Sequence, residues 1–176
     1  MAEPTKFQQL CDAYKSSRAN FFRYRDSCIE LLARVAEQLA RDWEIPNLRL
    51  VPLDRQVESD KRYFPHGATH YDFDDGYFHM GVAFSVYTEP NTFPQDGVVV
   101  RLSARQEAGK FMLSVAKREA KNVGAGDPDK VRAVLDELFG ILDAEYVRTP
   151  EALRRAKPDE PERRVIGFVN DKGEDR

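Results

Sequence analysis

His70-Tyr71-Asp72-Phe73-Asp74-Asp75-Gly76-Tyr77-Phe78-His79 is the most informative stretch of this 176-residue chain. Aromatic and polar residues alternate on both sides of Asp75-Gly76, which is the period of a strand with one apolar and one polar face. Asp-Gly is a favoured pair for a two-residue type I′ turn. A hairpin built on that turn sets Phe73 opposite Phe78, Tyr71 opposite Met80 and Asp72 opposite His79. Its second strand continues with Val82, Phe84 and Val86 on the apolar face.

A second hairpin follows. Residues 97–106 and 110–117 flank Ala108-Gly109, and that turn sets Leu102 opposite Val115 and Ala104 opposite Leu113. Both hairpins have one greasy face. The opposite faces are small and polar, with Gly81, Ala83 and Ser85 on one strand, Arg101, Ser103 and Arg105 on the next, and Ser114 and Ala116 on the last. Upstream, Leu48–Leu53 reads as a short strand limited by Pro52, and residues 54–65 read as a charged loop.

Helices flank this β-rich centre. From Pro4 to Trp43 the apolar residues recur at spacings of three and four, through Phe7, Leu10, Tyr14, then Phe21, Tyr24, Cys28, Leu31, Val35 and Leu39, with only Ser17 interrupting the stripe. Pro46 ends the run. Unbroken, such a helix is roughly 57 Å long, more than a domain of this size needs to cover its core. A cap-like cluster over residues 16–20 offers the alternative of a break. At the other end, Asp127-Pro128 opens a helix whose stripe is Val131, Val134, Leu135, Leu138 and Leu142, ending near Val147.

The fold expected is α+β: a long N-terminal helix, an antiparallel meander sheet of four or five strands, and a C-terminal helix packed on its apolar face. Residues 1–148 form one domain in this reading. Residues 149–176 form a charged, proline-containing tail with a possible short strand at 164–169.

Composition narrows function. The 27 Lys and Arg are outnumbered by 30 Asp and Glu, for a net charge of -3, which disfavours bulk electrostatic binding of nucleic acid. No apolar run reaches the length of a membrane span, so a cytoplasmic protein without membrane contact is expected. Cys11 and Cys28 are too far apart on one helix, about 25 Å, to form a bridge.

Three clusters merit attention. His70, Asp72 and His79 share a hairpin face, and two imidazoles with a carboxylate suit a divalent transition metal in a metal-dependent hydrolase. The same residues also read as a solvated surface. Phe21, Phe22 and Arg25 interleave aromatic and basic character on the long helix, suited to a partner protein or to nucleic acid. Tyr77, Arg101 and Arg105 border the small-residue sheet face, where two guanidinium groups suit a carboxylate or phosphate. Covering of that face by a helix or by the tail is the competing expectation.

Gly124-Ala125-Gly126 lacks a P-loop lysine, and no serine or cysteine sits in a nucleophile elbow. The resulting expectation is a non-catalytic, cytoplasmic binding or adaptor protein without a resident cofactor. It acts by protein–protein interaction, with a homodimer through the N-terminal helix as the simplest form. A metal-dependent hydrolase and a nucleic-acid accessory protein are the alternatives.

Overall fold

The structure, a computed structural model, describes residues 4–55, 61–87 and 95–147. The tail and its possible strand at 164–169 lie outside the described residues, as does part of the expected loop at 54–65.

The first helix, α1 (Lys6–Asp42), is continuous through residues 16–20, where a break was the alternative. Thr5 caps it: its hydroxyl accepts from the Gln8 backbone N–H, and the Gln8 side chain accepts from the Thr5 N–H. Its far end closes in a Schellman motif. The Glu44 N–H donates to the Arg41 carbonyl, and the Ile45 N–H donates to the Ala40 carbonyl. Glu44 must therefore adopt a left-handed φ of 52°.

Six strands form one antiparallel sheet. In chain order the remaining elements are β1 (Arg49–Val51), the single turn α2 (Pro65–Ala68), β2 (Thr69–Tyr71), β3 (Phe78–Tyr87), β4 (Gln95–Glu107), β5 (Lys110–Val115), β6 (Lys121–Gly124) and α3 (Pro128–Val147). Strands β2 to β6 run as a meander, and β1 shares an edge of β3 with β2. The second hairpin has the expected register, Leu102 opposite Val115 and Ala104 opposite Leu113.

The first hairpin does not. Tyr71 faces Phe78, His70 faces His79 and Thr69 faces Met80, so Asp72 is not opposite His79. The aspartates cause the slip by bonding to the backbone in place of the ladder. The Asp72 carboxylate accepts from the Asp74 N–H at 2.9 Å, and the Asp75 carboxylate accepts from the Tyr77 N–H at 2.8 Å. Phe73 is left in the turn, 86% exposed. An even slip preserves which residues share a face, so the apolar pattern still specifies the core.

That core lies on one side of the sheet. Phe78, Met80, Val82 and Phe84 of β3, with Val100, Leu102 and Leu113 of β4 and β5, meet Cys28, Leu31, Leu32, Val35 and Leu39 of α1. The expected stripe of α3, from Val131 to Leu142, is buried in the same cluster. Gly81 lets the β1 edge approach: a Cβ there would lie 2.8 Å from the Val51 carbonyl oxygen and 2.7 Å from its side chain.

Only the second half of α1 is packed. Residues 4–23 are exposed throughout, and burial begins at Tyr24. The overhang from Lys6 to Arg23 is roughly 27 Å long. No helix among the described residues is long and apolar enough to cross a membrane.

The cap at Glu44 yields a direct test. Glycine pays no Cβ penalty in the left-handed region, so Glu44→Gly should stabilise the protein by about 1 kcal/mol in urea denaturation. A destabilised variant would contradict the cap assignment.

Candidate functional site

The sheet face away from the helices carries His79 and Ser103 on β3 and β4, opposite one another, with Ser114 on β5 next to Ser103. No helix covers it among the described residues; the tail, the other covering expected, lies outside them. Val51 and Leu53 close over Gly81 at one end. Next to them lies a cavity of about 240 Å³ with His79, Ser103 and Ser114 among its lining residues.

His79 is 1% exposed and both its nitrogens are engaged. Nε2 lies 3.1 Å from Oδ2 and 3.2 Å from Oδ1 of Asp75, and Nδ1 lies 2.8 Å from the Ser103 hydroxyl. A carboxylate only accepts, so Nε2 carries the proton and donates it to Asp75. Nδ1 is then the acceptor for the Ser103 O–H. Arg101 lies across the ring: its Nε–H also donates to Nδ1 at 3.1 Å, its Nη2 lies 2.9 Å from Nδ1 and 2.8 Å from Nε2, and it reaches Asp75 at 3.5 Å.

This is the connectivity of a Ser–His–Asp triad, although Ser103 sits in a strand and not in a nucleophile elbow. The electrostatics run the other way. Burial, reinforced by the Arg101 charge, pushes the His79 pKa down from 6.5 to about 4, against the pull of Asp75. A general base must take up a proton during reaction and works best with a pKa near the ambient pH. In the folded chain His79 is thus held neutral between Ser103, Asp75 and Arg101.

The metal expectation also changes. Asp72, Asp75 and His79 present ligand atoms within 4.8 Å of one another, so Asp75 takes the place expected for His70. The slipped register puts His70 beside His79, ring centroids 5.2 Å apart, with its Nδ1 buried and unpaired. Burial lowers the His70 pKa. Both His79 nitrogens are already used, and a guanidinium lies over them, so this donor set does not favour a cation.

The other expected residues fall into two places. Tyr77 and Arg101 line the cavity, and Arg105 stacks on the Tyr77 ring with its carbon 4.4 Å from the centroid. Arg105 also pairs with Glu107. The remaining wall comes from Lys117, Arg118 and Ala120; Lys117 was expected at the end of a strand over 110–117, but β5 stops at Val115 and both cations lie in the irregular turn after it. That turn holds Ala116 and Lys117 at φ values of 50° and 58°. It is closed by the Arg118 N–H donating to the Val115 carbonyl at 3.0 Å.

Phe21, Phe22 and Arg25 lie where the overhang leaves the domain. Phe21 touches Tyr71 and Phe78 edgewise or tilted, at centroid distances of 5.8 and 6.4 Å. Phe22 is held by Arg18 and Arg25, at 5.1 and 4.9 Å from its ring. Arg25 also pairs with Asp26 at 2.7 Å. Phe22 is therefore already engaged by cations, which leaves it poorly placed to stack on a nucleobase. Toward the tip, Phe7, Leu10 and Tyr14 share the Phe21 face by helical periodicity and are 75%, 68% and 63% exposed.

Comparison of the chain with protein-family models, curated proteins and solved structures gives no match.

Two outcomes follow from this geometry. The unfolded chain binds a proton at His79 below pH 6.5, whereas the folded chain resists until about pH 4. Stability is therefore fully present above pH 6.5 and falls between pH 6.5 and 4, by about 3 kcal/mol from this residue. Urea midpoints across that range should show the loss, and His79→Gln should flatten it. An unchanged slope in the variant would contradict the assignment. Separately, Asn-Gly suits a turn with two positive φ values better than Ala-Lys. Replacing Ala116 by Asn and Lys117 by Gly together should raise stability by about 1–2 kcal/mol, read from the urea midpoint.

Proposed function

We propose that this chain is a non-catalytic binding protein that acts in the cytoplasm by protein–protein contact, with a second copy of itself docked on the overhang of α1. The observation that carries this reading is the exposed stripe of Phe7, Leu10, Tyr14 and Phe21, which is broken only at Ser17 and continues the stripe that α1 buries against its own sheet. The steps of three, four and seven are those of a coiled-coil seam with one polar position. A free exposed thiol at Cys11 and a buried one at Cys28 fit a reducing compartment.

Geometry favours an antiparallel pair. From Tyr24 onward the stripe is covered by the chain's own sheet, so a parallel partner helix would run into β3. An antiparallel helix ends there instead. With Tyr14 against Tyr14 of the partner copy, Phe7 of each copy reaches Phe21 of the other, next to Tyr71 and the exposed Phe73. At their measured exposures these side chains offer about 500–600 Å² per copy. Two copies then bury about 1,100 Å², near the lower limit of a specific interface, which places association in the micromolar range.

Charge separates this partner from an acidic one. Lys6, Lys15, Arg18 and Arg23 face only Asp12 on the overhang. Two such helices repel mildly, so salt should strengthen self-association, whereas salt would weaken docking of an acidic partner.

Light scattering of the full chain at about 100 µM should give the mass of a dimer, rising in population with salt. Leu10→Glu, at a position outside the core, should give a monomer with unchanged melting temperature. A wild-type monomer at that concentration, or a Leu10→Glu dimer, overturns the reading.

A further inference from the structure

We propose that the sheet-face cavity is a binding site for a small phosphate monoester of a polyol. The cavity walls are cationic: among the described residues Arg101, Lys117 and Arg118 line it, with Asp75 as the only carboxylate. Arg118 has no ion pair among the described residues. Clustered guanidinium and ammonium groups around a concave site match a phosphate dianion in charge, and the guanidiniums match it in geometry.

The floor specifies the rest of the ligand. Ser114 has its proton committed inward, to the Arg118 carbonyl at 2.6 Å, and Ser103 lies 2.8 Å from His79 Nδ1, which also accepts from the Arg101 Nε–H at 3.1 Å. Both hydroxyls can still offer lone pairs, as can Asp75. A bare phosphate satisfies the wall and leaves this acceptor floor without donors. Hydroxyls on the same molecule supply them. A volume of about 240 Å³ holds roughly eight water-sized groups. That suits a three- or four-carbon polyol phosphate.

The site is preorganised. Arg101 is fixed by the His79 ring and by Asp75, and the turn that carries Lys117 is fixed by two main-chain bonds, the Ala116 N–H donating to the Arg101 carbonyl and the Arg118 N–H to that of Val115. The wall and floor therefore exist before the ligand arrives.

Glycerol 3-phosphate, inorganic phosphate and glycerol are the probes, each titrated calorimetrically into the full chain at constant ionic strength. Glycerol 3-phosphate should saturate, with inorganic phosphate at least about tenfold weaker and glycerol silent. Arg118→Gln, at an exposed position, should weaken glycerol 3-phosphate about tenfold without moving the melting temperature of the free protein. Arg18→Gln, which removes an equal charge from the overhang, should not alter binding. The proposal is overturned by no saturation at about 10 mM, by equal affinity for inorganic phosphate, or by wild-type binding in Arg118→Gln.

Discussion

The alternation of β3 is the constraint on which the rest of the molecule depends. Phe78, Met80, Val82 and Phe84 point into the core, and this fixes His79, Gly81 and Ala83 on the other face. The apolar set holds α1 by its second half only, and a helix anchored over Cys28–Leu39 carries its first half outward as a continuous extension. The polar set receives Ser103 and Arg101 from β4 through a register extending from Phe78 opposite Ala104 to Tyr87 opposite Gln95. One strand thus positions both the overhang and the cavity.

How much of this was legible in the sequence depends on whether a local signal or a nonlocal pairing decides the feature. The α1 and α3 stripes are local, and Val131 to Leu142 is buried residue for residue as the spacing requires. The Ala108-Gly109 register is local as well. The Asp-Gly register failed because four neighbouring polar and aromatic residues gave the backbone a second way to close, with Asp72 and Asp75 replacing cross-strand bonds. Strand β6 and the turn α2 carry too few apolar residues to announce themselves.

The candidate site was legible in pieces. Arg101, Ser103 and Ser114 could be placed on one face from the second hairpin alone. What joins them to His79 is the β3–β4 pairing, and no tight turn signals that register in the intervening sequence. Asp75 escaped notice for a different reason: as a turn residue it has no strand position, and it reaches His79 only because the hairpin slipped. The metal expectation of His70, Asp72 and His79 was drawn from the unslipped register; the slip keeps Asp72 near His79, adds Asp75 to them and sets His70 beside the His79 ring.

His79 shows why connectivity alone does not assign chemistry. Asp75, His79 and Ser103 have the distances of an acyl-transfer triad, but a triad needs an imidazole that gains a proton readily. Here a guanidinium covers the ring and burial excludes water, so the charged imidazole is the costly state. The same arrangement suits binding. A buried polar network is tolerable when its members are satisfied, and His79 satisfies Asp75 and Ser103 while giving Arg101 a flat surface to rest on. The cation is held at the cavity wall without a second carboxylate to neutralise it, which preserves the positive potential that an anionic ligand requires.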